Sequence, residues 1–315
     1  MHKPFNLRYL DYYVPKDYLT VEDFVSGLDE QSIPANFSNR EDYLIFLDAV
    51  LGLNNIKTER SFNQGEMLGQ LIEKMIDENV LEPKELDLII TTDEVVLSSK
   101  DNFGKFIQCQ YGFENAFVMN VSGNHCANIA MAWDLINRNY HNSGLNNVLI
   151  VNTSLTQVND DRVIGSYGVL GDGAGLMLLQ RGEGLCTMVD NISLSNGSLH
   201  KVDMGKDYSL VHLKYSIKCI RQLFEKNNID STNIIKVISQ NANPLLITNA
   251  MMECGLNYDK IFTDNLGTYG HIGCLDMIIN LKDMLNSNDL HGGDHIMLYN
   301  MGWAGSYVSS LLQLN

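Results

Sequence analysis

Proline is scarce, with 5 in 315 residues, and no low-complexity run interrupts the chain, so a long disordered linker is not expected. No stretch of about 18 uncharged apolar residues occurs, which argues against a membrane-spanning helix. The opening Met1-His2-Lys3-Pro4-Phe5-Asn6 lacks the apolar core of a signal peptide. The six cysteines form no CxxC pair, so neither a disulfide framework nor a zinc or other metal site is expected, and reduced thiols in a cytoplasm are. Positive charge is also in short supply. Lys and Arg number 22 against 38 Asp and Glu, a net charge of -16. Such a surface argues against general nucleic-acid binding, which needs basic residues for the phosphates, and its plain role is solubility.

The chain is 45% hydrophobic and 19% charged, enough apolar material for one large domain or two medium ones. Short apolar runs recur at residues 86–92, 147–152, 175–179, 236–239 and 295–299, and Phe117, Val118 and Met119 read as a buried strand. Uninterrupted runs of this length fit strands covered on both faces. Between them lie helical segments at 65–78, 128–137, 211–226, 247–254 and 275–285. In the third of these Leu213, Ile217, Ile220 and Phe224 recur at helical spacing, with Lys214, Lys218 and Arg221 on a neighbouring face. The alternation predicts an α/β protein. A loose duplication is also visible. "GDGAG" (171–175) closes one half and "NMGWAGSY" (300–307) the other, which suggests halves at 1–180 and 181–315 with a cleft between them.

The stretch "NVSGNHCANIAMAW" (120–133) sets Cys126 where a strand gives way to a small-residue helix. The first N–H groups of that helix and its dipole favour a thiolate there, although a free cysteine is often just a small buried hydrophobe. His271 stands between Gly270 and Ile272-Gly273 ahead of a predicted helix, as an imidazole presented at a helix entrance or as a cap. Gln240, Asn241 and Asn243 cluster before Pro244, where amides serve turns or offer N–H donors to a carbonyl. "GDGAG" is not a phosphate loop, since it lacks the Lys-Ser/Thr that follows one and precedes a strand. A thiol, an imidazole and an amide at the ends of α/β elements suit thiolate acyl transfer.

Together, the nucleophile helix, "GDGAG", "VISQNAN", "GLNYDKIFTDNLGTYGHIG" and "LYNMGWAGSY" resemble the β-ketoacyl-ACP synthase III branch of the thiolase superfamily, in order and spacing, from about Leu51 to the C-terminus. Residues 1–50 match the family poorly and are a candidate for a separate partner contact. The resemblance implies the five-layered αβαβα thiolase fold, in two duplicated halves and usually dimeric. Cys126 falls on the acyl-accepting cysteine. No bound cofactor is implied, only an acyl-carrier-protein or CoA thioester as substrate.

The departures carry information of their own. The family's histidine before a Gln-Ala-Asn run is absent, and its asparagine after Tyr-Gly is replaced by His271, so amide and histidine exchange positions. Cys126 and His271 then form the catalytic pair, with Gln240 as an oxyanion donor. The backbone N–H of Cys126 and the turn at Gly305 form a second oxyanion hole. "GHIGCLD" also resembles a divergent, secondary-metabolism subgroup in which some members acylate a hydroxyl or amine. There Asp276 either orients His271 or is simply an acid in the first turn of a helix. The tryptophan and arginine that grip CoA in the family have no counterpart before Gly52 or after Asn243, which favours a carrier-protein donor. The Lys214, Lys218 and Arg221 face lies on the helix that docks the carrier, unless it is only a solvated face. Asn243, Phe103, Phe106 and Met131 are candidate substrate contacts, the last three equally readable as core. Decarboxylative condensation and a non-catalytic ketosynthase subunit are the alternatives to acyl transfer.

Overall fold

The computed structural model describes residues 4–92, 102–140, 143–199, 206–287 and 289–315. Its main sheet has nine strands: β1 (Phe5–Tyr13), β2 (Leu88–Thr91), β3 (Phe117–Asn120), β4 (Asn147–Ser154), β5 (Gly173–Arg181), β6 (Cys186–Ser195), β7 (Ile234–Ser239), β8 (His295–Gly302) and β9 (Ser306–Leu314), in spatial order β7-β8-β9-β6-β1-β5-β4-β2-β3. Pairing repeats along the chain. In one group β1 is antiparallel to β5, β5 antiparallel to β4 and β4 parallel to β2. In the other β6 is antiparallel to β9, β9 antiparallel to β8 and β8 parallel to β7. The isolated parallel bridge between Val237 and Ile261 occupies the place that β3 holds beside β2. The two groups meet at a short antiparallel seam where Asn6 and Leu7 of β1 face Thr187 and Cys186 of β6.

Five helices complete the layers: α1 (Gln64–Asp77), α2 (Asn128–Asn139), α3 (Lys206–Asn227), α4 (Pro244–Met252) and α5 (Asp276–Leu285). α2 touches β4 on one side and β6 and β9 on the other, while α5 touches β1, β5 and β7. These two helices therefore form a middle layer, with Ile129, Ala130, Trp133, Met277 and Ile278 in the core between the strand groups. α1 covers the outer face of β1, β4 and β5, and α3 covers β6 and β9 with α4 packed against it. The order is αβαβα. Strands in such a stack are covered on both faces, which is why all eight residues of β4 are buried and read as one apolar run. α1 begins with a reciprocal capping box between Asn63 and Glu66, contributing about 1 kcal/mol.

Two expectations are corrected. Phe117–Met119 is not a buried strand: β3 ends the sheet, pairs only with β2, and leaves Phe117 69% exposed. Residues 5–13, set apart with residues 1–50 as a candidate partner contact, form β1 at the centre of the sheet. A bulge between Leu7 and Tyr9 breaks the two-residue alternation. The buried carboxylate of Asp11, which is paired with Lys74 and Lys282, disguises the strand further. Residues 18–57 make a separate layer with its own core, including Phe24, Leu47 and Ile56, which reaches Val169 and Val163 beside the cavity described next.

Candidate active site

The short helical turn His125–Ala127 runs directly into α2. It places Cys126, 7% exposed, at the inner end of a cavity of about 220 Å³. Across from it His271 enters from the loop before α5. Gly270 lets the chain turn here with φ +67°, in a spot where a Cβ would press on Leu53. His271 is then pinned by a parallel bridge to Leu170, and its carbonyl accepts the N–H of Gly171. That is the work of the "GDGAG" turn. Its Asp172 is buried in a two-bond ion pair with Arg162 and also accepts the N–H groups of Glu59 and Thr156. The turn is thus a rigid brace for the imidazole, in place of an anion loop.

The geometry at the centre is a relay. Cys126 Sγ lies 3.4 Å from His271 Nε2, and His271 Nδ1 lies 2.5 Å from Asp276 Oδ2. Asp276 is fully buried. Its Oδ1 accepts the N–H of Ile272 at 2.7 Å and its Oδ2 that of Asn241 at 2.6 Å. Each carboxylate oxygen therefore already receives a backbone donor, and His271 Nδ1 is the third. With Nδ1–H directed at Asp276, Nε2 presents its lone pair to the thiol. Isolated buried charge is costly and is stabilised only by such complete hydrogen bonding. A polar scaffold stands behind it. Asn241 Nδ2 donates to the Gly270 carbonyl, and Asn280 Nδ2 donates to Asn241 Oδ1 and the Ser239 carbonyl.

Gln240 joins the same cavity, but one end of its amide is already used. Oε1 accepts the N–H of Met301 at 2.9 Å. Because a backbone N–H only donates, the amide orientation is set and Nε2 is the group left to face the cavity. The walls are otherwise apolar: Val163, Ile164, Tyr167, Leu170, Ala242, Met301 and Trp303. "NMGWAGSY" contributes one wall and a close approach, since a Cβ on Gly302 would overlap the Asn124 carbonyl, two residues before Cys126.

Other candidates stand apart from this cavity. The N–H of Gly305 closes a turn onto the Gly302 carbonyl at 3.0 Å, and Gly305 is not among the residues lining the cavity. Asn243 caps α4 by accepting the N–H of Leu246. Phe103 packs under α1 and stacks on Phe106, which is exposed. Met131 packs on the middle core. Asn243 is held in a turn, Phe103 and Met131 face other layers and Phe106 faces outward, so none of them lines the cavity. Lys214, Lys218 and Arg221 are exposed on α3, with Arg221 tied to the Glu253 carbonyl.

Sequence reading missed His125 and the aromatic walls Tyr167 and Trp303. His125 carried a signal, as the immediate neighbour of the thiol. Its backbone sits at φ +48°, a region costing non-glycine residues on the order of 1–3 kcal/mol. Its half-buried ring meets Trp303 edge-on at 5.3 Å, and burial holds its pKa below the ordinary histidine value.

Comparison with known proteins follows this geometry. Residues 224–314 match the family described as 3-oxoacyl-[acyl-carrier-protein (ACP)] synthase III C terminal. The β-ketoacyl-[acyl-carrier-protein] synthase III of Clostridium perfringens (strain SM101) is 23% identical over 281 residues, 80% of this chain and 85% of that protein. Through residues 224–314 and this relative, the chain is similar to the β-ketoacyl-ACP synthase III-like branch of the thiolase superfamily. Among solved structures, cerulenin-bound OleA of Xanthomonas campestris superposes with a TM-score of 0.82 at 15% identity, covering 98% of both chains. The acyltransferase ChlB3 superposes with a TM-score of 0.81 at 14% identity, covering 99% of this chain and 98% of its own. The αβαβα stack is thus the thiolase fold. Among the described residues no helix is long and apolar enough to cross a membrane.

Proposed function

We propose that this protein is an acyltransferase that loads an acyl group onto Cys126 and passes it to a heteroatom acceptor. The observation that carries this reading is the Cys126–His271–Asp276 relay. His271 takes the thiol proton as Sγ attacks the donor thioester. The tetrahedral intermediate expels the donor thiolate, which leaves with that proton. Neutral again, His271 receives the proton of the acceptor as it attacks the acyl-enzyme. Asp276 holds the imidazole in the required tautomer and balances its charge. Gln240 Nε2 is positioned to donate to the thioester oxygen.

The donor we infer is a carrier-protein thioester, since Asn243 and Pro244 build a helix start where a CoA-gripping arginine was sought. The exposed Lys214 and Lys218 of α3, on a chain of net charge -16, would steer an acidic carrier. A second reading is decarboxylative condensation. It is favoured by the name of the Clostridium relative and by the presence of two donors, Gln240 Nε2 and protonated His271, at one carbonyl site.

Intact-protein mass spectrometry with a panel of acyl-carrier and acyl-CoA thioesters tests the reading. A one-acyl mass increase is expected on the native chain and not on Cys126→Ala. Adding malonyl thioester to the loaded protein separates the two readings, because only condensation yields a β-ketoacyl product. No adduct from any donor on folded protein would refute both.

A further inference from the structure

The acyl-transfer reading leaves two polar residues of the cavity without a task, His125 and Asp161. Both line the same space as Cys126 and His271. Asp161 is exposed at its rim, and among the described residues no lysine or arginine lines the cavity. His125 is half-buried, and no protein hydrogen bond to its ring nitrogens occurs among the described residues. It is also held in a left-handed backbone conformation, φ +48°, immediately before the nucleophile. Strain of this kind persists where the surroundings over-determine it, and it concentrates at functional positions.

Resting on the acyl-transfer reading, we propose that the acceptor is a primary amine, drawn in as its ammonium by Asp161 and deprotonated by His125 before it attacks the acyl-enzyme. The proton count asks for two bases. An ammonium has three N–H bonds and the amide product keeps one. The first proton goes to the His125 imidazole, whose half-exposed ring returns it to solvent. The amine nitrogen then bonds to the acyl carbon, the C–S bond to Cys126 breaks, and the second proton goes to His271, which returns it to the departing Cys126 thiolate. Burial keeps His125 neutral in the resting protein, the state a base requires. A carboxylate at the rim suits an ammonium and repels an anionic acceptor. An alcohol has one proton to give and would leave His125 idle.

The experiment separates the two half-reactions on the full chain. Cys126 is loaded with the thioester that gives the strongest adduct, and discharge is followed by intact mass with n-butylamine and with 1-butanol as probes. The variants are His125→Asn, since asparagine tolerates positive φ, and Asp161→Asn. Butylamine is expected to discharge the native acyl-enzyme well ahead of butanol and water. His125→Asn should still load while discharging to butylamine about a hundredfold more slowly. Asp161→Asn should raise the half-saturating butylamine concentration severalfold and remove its sensitivity to added salt. Discharge to butanol as fast as to butylamine, variants matching the native protein, or a His125→Asn chain that no longer loads would each overturn the proposal. Failure of the native chain to load at all would instead overturn the acyl-transfer reading, and this proposal with it.

Discussion

Replacing Asp276 with asparagine is the sharpest test of the relay. The carboxylate accepts three hydrogen bonds, from His271 Nδ1 at 2.5 Å, Asn241 N–H at 2.6 Å and Ile272 N–H at 2.7 Å. An amide of the same shape has one accepting end and one donating end. Placed with NH₂ at the Oδ2 position, it opposes the Asn241 N–H and donates to Nδ1. That forces the proton onto Nε2, where it points at Cys126, and the imidazole no longer accepts from the thiol. Placed the other way, it opposes the Ile272 N–H instead. Either orientation strands one fully buried donor, costing roughly 1–3 kcal/mol of stability. In the first orientation the tautomer error removes general-base assistance, worth about 10² to 10⁴ in rate, and in the second the tautomer is kept but the charge that balances the imidazolium is lost. Single-turnover loading of Cys126, timed by intact mass and normalised to the folded fraction from urea melts, measures both effects. Asp276→Asn that loads within about threefold of the native rate, with its fold intact, would show Asp276 to be only an acid in the first turn of α5.

Gly302→Ala drives a Cβ into the Asn124 carbonyl. It is expected to destabilise by about 1–3 kcal/mol and to slow loading by shifting the nucleophile's turn, whereas unchanged loading would mean that the turn is pliant. His212 gives a pH prediction. It is fully buried among Tyr167, Tyr208 and Tyr307, and burial pushes its pKa down to about 4. Below the ordinary value of about 6.5 the unfolded chain binds a proton that the folded chain refuses until about pH 4. Stability is therefore full above that ordinary value and falls as the pH drops through this window, by roughly 3 kcal/mol in total. Urea melts at pH 7, 5.5 and 4 should show a steeper loss for the native chain than for His212→Asn, and parallel losses would refute the assignment.

Much of the architecture was legible because layered α/β proteins bury their strands on both faces. β4, β5, β7 and β8 announce themselves as apolar runs, and α1, α2 and α5 as apolar stripes or small-residue runs. β1 was hidden because its interior includes a paired Asp11 and its alternation is broken by a bulge. Edge position, which exposes Phe117, is a property of the sheet and leaves no mark on the residues of β3.

The site divides in the same way. Local chemistry in the chain marked Cys126 at a helix entrance and His271 between glycines, because those features depend on neighbouring residues alone. Their meeting across 145 positions at 3.4 Å was decided by packing the α2 and α5 layer between two strand groups. Packing also made Asp276 the partner of His271, turned one end of Gln240 onto Met301, and left Gly305 closing a turn. A hydrogen bond selects its partner by distance and direction, and only the closed fold sets either for groups so far apart in the chain.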